Sequence, residues 1–416
     1  MDLEQALLIY ASSDAQTYEP AQIDEMYALA EADQIAIVDA VNQKLEHFVT
    51  ATLLGSGKVN EIQEYLQAHD EITLVLFMNP LSPLQHRNLT NYWKIPILDR
   101  TQLILEIFHD RARSREAQLQ IEAAQLKNEL PRLAGGYQAL GRQRGGKNKG
   151  QGEKQIEVDR RHIKKRLADV NRALKALEAQ RGVRKKARSR SQLPLVALIG
   201  YTNAGKSTIM NEVLKYCGSN EEKQVYAENM LFATLETSVR HIVYSEFQQF
   251  LLTDTVGFVS NLPHELIEAF HATLEDIKDA DLLVQVVDRS DPHYEEQCEV
   301  TRSTLQQLGA SAIPMITIFN KADRCDIEWP RKSVDTLTIS AAHVNGIEML
   351  LDVICERLYG PLVEAEFVIP YENNQFLYEL RKHGRIIHVD YLENVMRLHI
   401  LCLSKFLNNN PEYLQK

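Results

Sequence analysis

The sequence predicts an α/β protein interrupted by a long antiparallel helical hairpin, and three observations carry that prediction. Short apolar runs alternate with helical stretches over the first hundred residues. Two series of apolar positions then recur at spacings of three and four between residues 119 and 177. Past residue 194 a second alternation of strands and helices begins at a glycine-rich turn. Alternating elements of this kind build parallel sheets with crossover helices, whereas paired helical seams build hairpins.

The first element group has apolar runs at 6–10, 35–39, 72–78 and 95–98, with helical stretches at 20–31 and 60–68. It predicts a small, mainly parallel α/β domain over residues 1–105. Asp99 and Thr101 open a helix. The apolar positions Leu119, Ala123, Leu126, Leu130 and Leu133, answered by Ile163, Leu167, Val170, Leu174 and Leu177, then predict a hairpin over 106–190. Between the seams, the tip at 134–152 holds seven glycines together with Arg142, Arg144, Lys147 and Lys149. Glycine makes ordering costly and like charges repel, so this tip is expected to order only against an anion.

Charge sharpens that expectation. Residues 142–190 carry 18 Lys and Arg against five Asp and Glu, a local +13 that leaves −24 for the remainder of a chain whose total is −11. One segment is therefore suited to phosphate, with Lys154, Arg160 and Arg161 as further candidates for RNA contact. Hydrophobic and charged contents of 44% and 25% are those of an ordinary globular protein, and no apolar run reaches 18 residues. No basic segment precedes the first apolar stretch, and five cysteines show no paired spacing. A soluble, cytoplasmic chain without a membrane partner, a disulfide framework or a zinc site is expected, and no motif requires more than a monomer.

The chemistry lies in residues 193–361. An apolar strand at 195–199 runs into Gly200, Tyr201, Thr202, Asn203, Ala204, Gly205, Lys206, Ser207 and Thr208, a complete G-x-x-x-x-G-K-[ST] motif before a helix. Its backbone N–H groups can cradle phosphates, Lys206 can reach the β- and γ-phosphates, and the Ser207 hydroxyl can ligate Mg²⁺. A second strand ends in Asp254, Thr255, Val256 and Gly257, which puts a carboxylate near the metal, through water, and an unobstructed amide near the γ-phosphate. Asn320, Lys321 and Asp323 follow a third strand, and there the Asp323 carboxylate can accept two hydrogen bonds from guanine that adenine cannot offer. Ser340 and Ala341 are candidates to meet guanine O6 through their N–H groups. Phe232, Ala233 and Thr234 lie between the first two motifs, with Thr234 the candidate switch residue for Mg²⁺ and the γ-phosphate. Together these motifs predict a P-loop GTPase domain, with GTP as substrate, GDP as product and Mg²⁺ as cofactor. Phe258 stands where many GTPases carry the Gln that orients water, so unaided turnover is expected to be slow.

Further motifs are LLGSGK at 53–58, LSPLQHRN at 81–88, DRTQLILEIF at 99–108, AQLK at 124–127, LPRL at 130–133, GQGE at 150–153, DRR at 159–161, FATL at 232–235 and DTVGF at 254–258. With the P-loop, this set resembles the HflX family of ribosome-associated GTPases, in the Obg-HflX group, from about residue 50 to about 390. The resemblance implies an α/β domain, a helical hairpin, a GTPase domain and a small C-terminal α/β domain at 362–416. It also implies binding to the 50S subunit and the 70S ribosome through rRNA, stimulation of hydrolysis there, and splitting of stalled or idle 70S particles. An apolar residue at Phe258 agrees with the family. The tip departs from it: GGKNKGQGE at 145–153 has Lys149 in place of an Arg and Gln151 in place of a Pro. A GTP-switched occupancy or assembly factor on the 50S subunit, without splitting, is the alternative. Gly55, Gly57 and Lys58 resemble half a P-loop but lack its first glycine and following Ser/Thr, so they are read as a turn before a helix.

Overall fold

The computed structural model describes residues 3–14, 16–140, 149–190, 193–218, 238–259 and 277–410, with side chains described outside 133–140, 149–156, 178–190 and a few positions of the last two helices. The chain forms two compact units, the sequence passing from one to the other near residue 187.

In the first unit, β1 (Glu4–Ser12), β2 (Ile35–Lys44), β3 (Leu74–Phe77) and β4 (Ile97–Asp99) form a wholly parallel sheet in the order β2-β1-β3-β4. Strand β1 is central and carries four consecutive buried apolar residues, Ala6 to Ile9, as a strand covered on both faces must. One face packs Leu7, Ile9, Val75 and Phe77 against Ile62, Leu66 and Leu89 from α2 (Ser56–Ala68) and α3 (Pro83–Trp93). The buried Asn79 prolongs β3 beside β1, accepting from the Ala11 N–H at 2.8 Å and donating to the Ala11 carbonyl at 2.9 Å. Helix α1 is Pro20–Ala32 and α4 is Arg100–Arg111, the latter capped by Asp99, which accepts from the Gln102 N–H.

Helices α5 (Arg115–Leu140) and α6 (Lys149–Arg190) form the helical hairpin. Leu119, Ala123 and Val170 are buried on the shared seam, with Leu126, Leu167, Leu174 and Leu177 beside them. Both helices run further into the glycine-rich tip than composition suggests, so that of 134–152 only 141–148 falls outside the described residues. Once a long helix is nucleated and packed, each extra residue adds one hydrogen bond, which offsets the roughly 1 kcal/mol cost of a glycine.

The second unit holds a seven-stranded sheet, ordered β10-β11-β9-β8-β5-β7-β6. Its parallel centre is β7 (Gln248–Asp254), β5 (Leu195–Gly200), β8 (Leu282–Asp288), β9 (Met315–Asn320) and β11 (Thr336–Thr338), while β6 (Ser238–Ser245) and β10 (Arg331–Lys332) are antiparallel edges. Helices α7 (Lys206–Tyr216) and α9 (Val344–Tyr359) bury Ile209, Val213, Leu350 and Ile354 with Val196, Leu198 and Val284; α8 (Tyr294–Leu308) leads from β8 towards β9. Connections leave β5 and β8 in opposite directions, which opens a crevice at their carboxyl ends. The C-terminal sheet, β12 (Leu362–Pro370), β14 (Val395–Leu403) and β13 (Gly384–Tyr391), is antiparallel. Its core of Phe367, Leu380, Leu398 and Ile400 is joined by α10 (Asn374–His383) and by Phe406 of α11 (Ser404–Asn409).

Candidate nucleotide-binding site

The segment between β5 and α7 reaches its shape through three left-handed residues: Gly200 at φ 137°, Asn203 at φ 60° and Gly205 at φ 99°. A Cβ on Gly200 would stand 2.1 Å from the Val286 carbonyl oxygen, and one on Gly205 would stand 2.2 Å from the Asn320 side-chain nitrogen. Glycine is therefore required at both positions on grounds of space as well as backbone. The loop carries its N–H groups to the start of α7, where the helix dipole favours an anion.

Lys206 opens α7 and is 6% exposed. Its ammonium donates to the carbonyls of Gly200 at 3.1 Å and Tyr201 at 2.7 Å. Burial pushes its pKa down to about 8, while the Asp254 carboxylate acts in the opposite sense. The Ser207 hydroxyl donates to Asp254 at 2.7 Å. Asp254 ends β7 and is fully buried, and its neighbour Thr255 holds the strand end in place by donating its hydroxyl to the Leu198 carbonyl at 2.7 Å. Tyr201 is partly buried and Ala204 fully, Asn203 and Thr208 are exposed, and the buried Thr202 hydroxyl has no partner among the described residues.

The Asp-x-x-Gly segment is clipped to the P-loop by its backbone. The Phe258 N–H donates to the Gly200 carbonyl at 3.0 Å, and the Thr202 N–H donates to the Phe258 carbonyl at 2.9 Å. A Cβ on Gly257 would lie 2.7 Å from Thr202 Cα, and Val256 is buried beside it. The Phe258 ring is 1% exposed, so this position contributes packing and backbone, not a polar side chain.

Asn320, at the end of β9, ties three loops together. Its amide donates to the Ala204 carbonyl at 2.9 Å and its oxygen accepts from the Ala341 N–H at 2.9 Å. The Ala341 N–H is thus engaged by Asn320, a difference from the expectation that it faces the base; Ser340 is buried next to it. Asp323 is exposed in the single 3₁₀ turn that follows. Lys321, left-handed at φ 58°, pairs with Asp288 at 2.7 Å. The other Asp288 oxygen accepts from the N–H and hydroxyl of Ser290 at 3.0 and 2.6 Å. Sequence reasoning missed Asp288, although an apolar run ending in Asp at 288 repeats the pattern at 254.

The structure brings the three main motifs to one end of one sheet. Phe232, Ala233 and Thr234 lie outside the described residues, as do Arg142, Arg144 and Lys147 and the side chains of Lys149 and Lys154. Arg160 and Arg161 are exposed on α6. No described helix is long and apolar enough to cross a membrane, and no metal-binding group of His, Cys, Asp and Glu occurs among the described residues.

A phosphate-cradling loop after the central strand, a Lys-Ser-Asp group with its lysine and aspartate buried, and an Asn-Lys-x-Asp turn define a P-loop GTPase. Three family models match the chain in order: "GTP-binding GTPase N-terminal" over 20–109, "GTP-binding GTPase Middle Region" over 111–188, and "50S ribosome-binding GTPase" over 195–321. GTPase HflX of Caldanaerobacter subterraneus subsp. tengcongensis is 37% identical over 393 residues, covering 94% of this chain and 89% of the relative. GTPase HflX of Lacrimispora saccharolytica is 36% identical over 94% and 92% of the two chains, and that of Escherichia coli K12 is 36% identical over 88% and 86%. The chain belongs to the GTPase HflX family.

Proposed function

We propose that this GTPase acts on the ribosome: with GTP bound it engages the large subunit and favours separation of stalled or idle 70S particles, and hydrolysis resets it. The observation that carries the catalytic part is the convergence of Lys206, the Ser207–Asp254 hydrogen bond and Asn320 on the P-loop at the carboxyl ends of β5, β7 and β9. The description of the matching family model and the +13 segment at 142–190 support the ribosomal part.

In this reading the N–H groups of 200–208 surround the phosphates and Lys206 spans the β- and γ-phosphates, giving up its two carbonyl partners to do so. The hard oxygens of Ser207 and Asp254 fit Mg²⁺, and Thr234 is the further ligand proposed; the bound ion would offset charge developing between the β- and γ-phosphates. The Gly257 N–H meets the γ-phosphate because no side chain stands in the way. Asp323 reads the guanine edge, Lys321 lies along its plane, and Asn320, Ser340 and Ala341 fix the loops that enclose it. With the Phe258 ring buried, the group that orients water comes from elsewhere, which makes a stimulated enzyme the natural expectation.

The test is GTP turnover with and without purified 50S subunits, with sucrose-gradient profiles of 70S particles from the same reactions. Turnover rising by about tenfold or more, with conversion of 70S to subunits, is the expected result. Unchanged turnover with an intact 70S peak would remove the ribosomal part and leave the GTPase.

A further inference from the structure

The Asn-Lys-x-Asp turn is braced from the neighbouring strand. Asp288 at the end of β8 stands in register with Asn320 at the end of β9, and one residue further on the Arg289 N–H donates to the Asn320 carbonyl at 2.9 Å. The Asp288 carboxylate then reaches forward to the Lys321 ammonium at 2.7 Å, with each side chain only 15% exposed. Its second oxygen accepts from the N–H and the hydroxyl of Ser290, at 3.0 and 2.6 Å. Both oxygens are therefore engaged, which leaves the carboxylate little freedom to follow a moving lysine.

The segment that carries Asp288 is itself fixed. Asp291 accepts from the His293 N–H at 2.8 Å and from the Gln297 amide at 2.7 Å. The Arg289 guanidinium lies 4.2 Å from the centre of the Tyr294 ring, and that ring meets Phe319 of β9 edge to face, with centroids 5.9 Å apart. Lys321 stands out against this frame. It has left-handed backbone at φ 58° and a long stem that, without a partner, would sample many rotamers.

We propose that Asp288 is a positioning residue for guanine nucleotides: it holds the Lys321 ammonium before the base arrives, so that the lysine stem already lies where the base plane will rest. The proposal depends on the reading of 320–323 as the base loop. A stem ordered in advance has little rotamer freedom left to lose on binding, and such preorganisation shows chiefly as slower dissociation. Asp288 acts at the base loop and not at the phosphates, so single-turnover hydrolysis at saturating GTP should keep its rate.

The test is a double-mutant cycle on the full chain, read as the rate at which excess GDP displaces a fluorescent N-methylanthraniloyl-GDP. Asp288→Asn keeps the shape and removes the charge, and should speed dissociation and raise KM for GTP by about tenfold. Lys321→Met keeps an apolar stem with no charge to position, so Asp288→Asn in that background should change dissociation by less than about twofold. Ser290→Ala loosens the carboxylate but keeps the ion pair; it should speed dissociation by about threefold and covers the case in which Asp288→Asn fails to fold. Equal effects of Asp288→Asn in the two backgrounds would mean a merely structural role and overturn the proposal. So would an unchanged dissociation rate in Asp288→Asn, or in Ser290→Ala where that is the variant that folds. Asp323→Asn separates the two levels of the argument. If it leaves the preference for GTP intact, the base-loop reading and the proposal fall together; if that preference is lost while Asp288→Asn has no effect, the proposal alone falls.

Discussion

The two parallel sheets of this molecule solve the same topological problem with different chemistry. Each has a first strand at its centre, neighbours added on both sides, and a crevice where the connections part. In the second unit that crevice is closed by a loop at φ angles that favour glycine, which turns N–H groups inwards and holds Lys206 at 6% exposure. In the first unit the crevice is lined by side chains, and the glycine-rich stretch sits elsewhere. Gly55 there has φ −64°, Gly57 lies inside α2 with nothing near its missing Cβ, and Lys58 pairs with Glu61 at 2.7 Å one turn on. A Gly-x-Gly-Lys string makes a phosphate cradle only where the fold forces the loop back over its own helix.

The two lysines should differ most. Lys206→Ala is expected to lower kcat/KM for GTP by about 10²-fold or more, while Lys58→Ala, which loses only a surface pair, should change it by less than about twofold. Steady-state kinetics on the two variants decides whether the half-motif has any part in turnover. Next is base recognition. Asp323→Asn exchanges an acceptor for a donor, so GTP affinity should fall by about 10²-fold while xanthosine triphosphate gains, a result read from competition against a fluorescent guanine nucleotide. Retained preference for GTP would remove Asp323 from the site.

The glycines come third. Gly205→Ala places a Cβ against Asn320 in left-handed backbone and should destabilise the second unit by about 1–3 kcal/mol in denaturant titrations. Gly57→Ala meets open space in a helix and should stabilise by about 0.5 kcal/mol. Equal effects would contradict the contrast drawn between the two loops.

The smallest effect is a pH dependence of stability. Burial, then Glu106, Asp110 and Glu4, push the Asp33 carboxyl up to about 7, opposed by Arg111. An acid whose folded pKa exceeds its unfolded value binds more protons when folded, so stability should fall as pH rises from about 4 to 7 and level off above. Asp33→Asn should flatten that decline. For Lys206, held near 8, the folded state releases its proton first, so its contribution improves between pH 8 and 10.5.

The parts of this architecture legible in sequence are those whose chemistry is contiguous. Residues 200–208, 254–257 and 320–323 each carry their mechanism within a few positions, and the period of the hairpin seam survives in Leu119, Ala123 and Val170. Strand β6 carries no contiguous chemical motif, and only its antiparallel pairing with β7 makes it an element. The Asp288 clamp on Lys321 is assembled from residues tens of positions apart, so only the fold reveals it. The reach of α5 and α6 into the tip shows local glycine preference overridden by propagation of a packed helix.

Hydrogen–deuterium exchange on the full chain, with and without a non-hydrolysable GTP analogue, decides whether guanine nucleotide enters the crevice of the second sheet and not that of the first. Slowed exchange in peptides covering 200–208, 254–258, 320–323 and 340–341, with 53–58 and 78–83 unchanged, is the result predicted. Slowed exchange at 53–58 or 78–83, with the P-loop peptide unaffected, would contradict it.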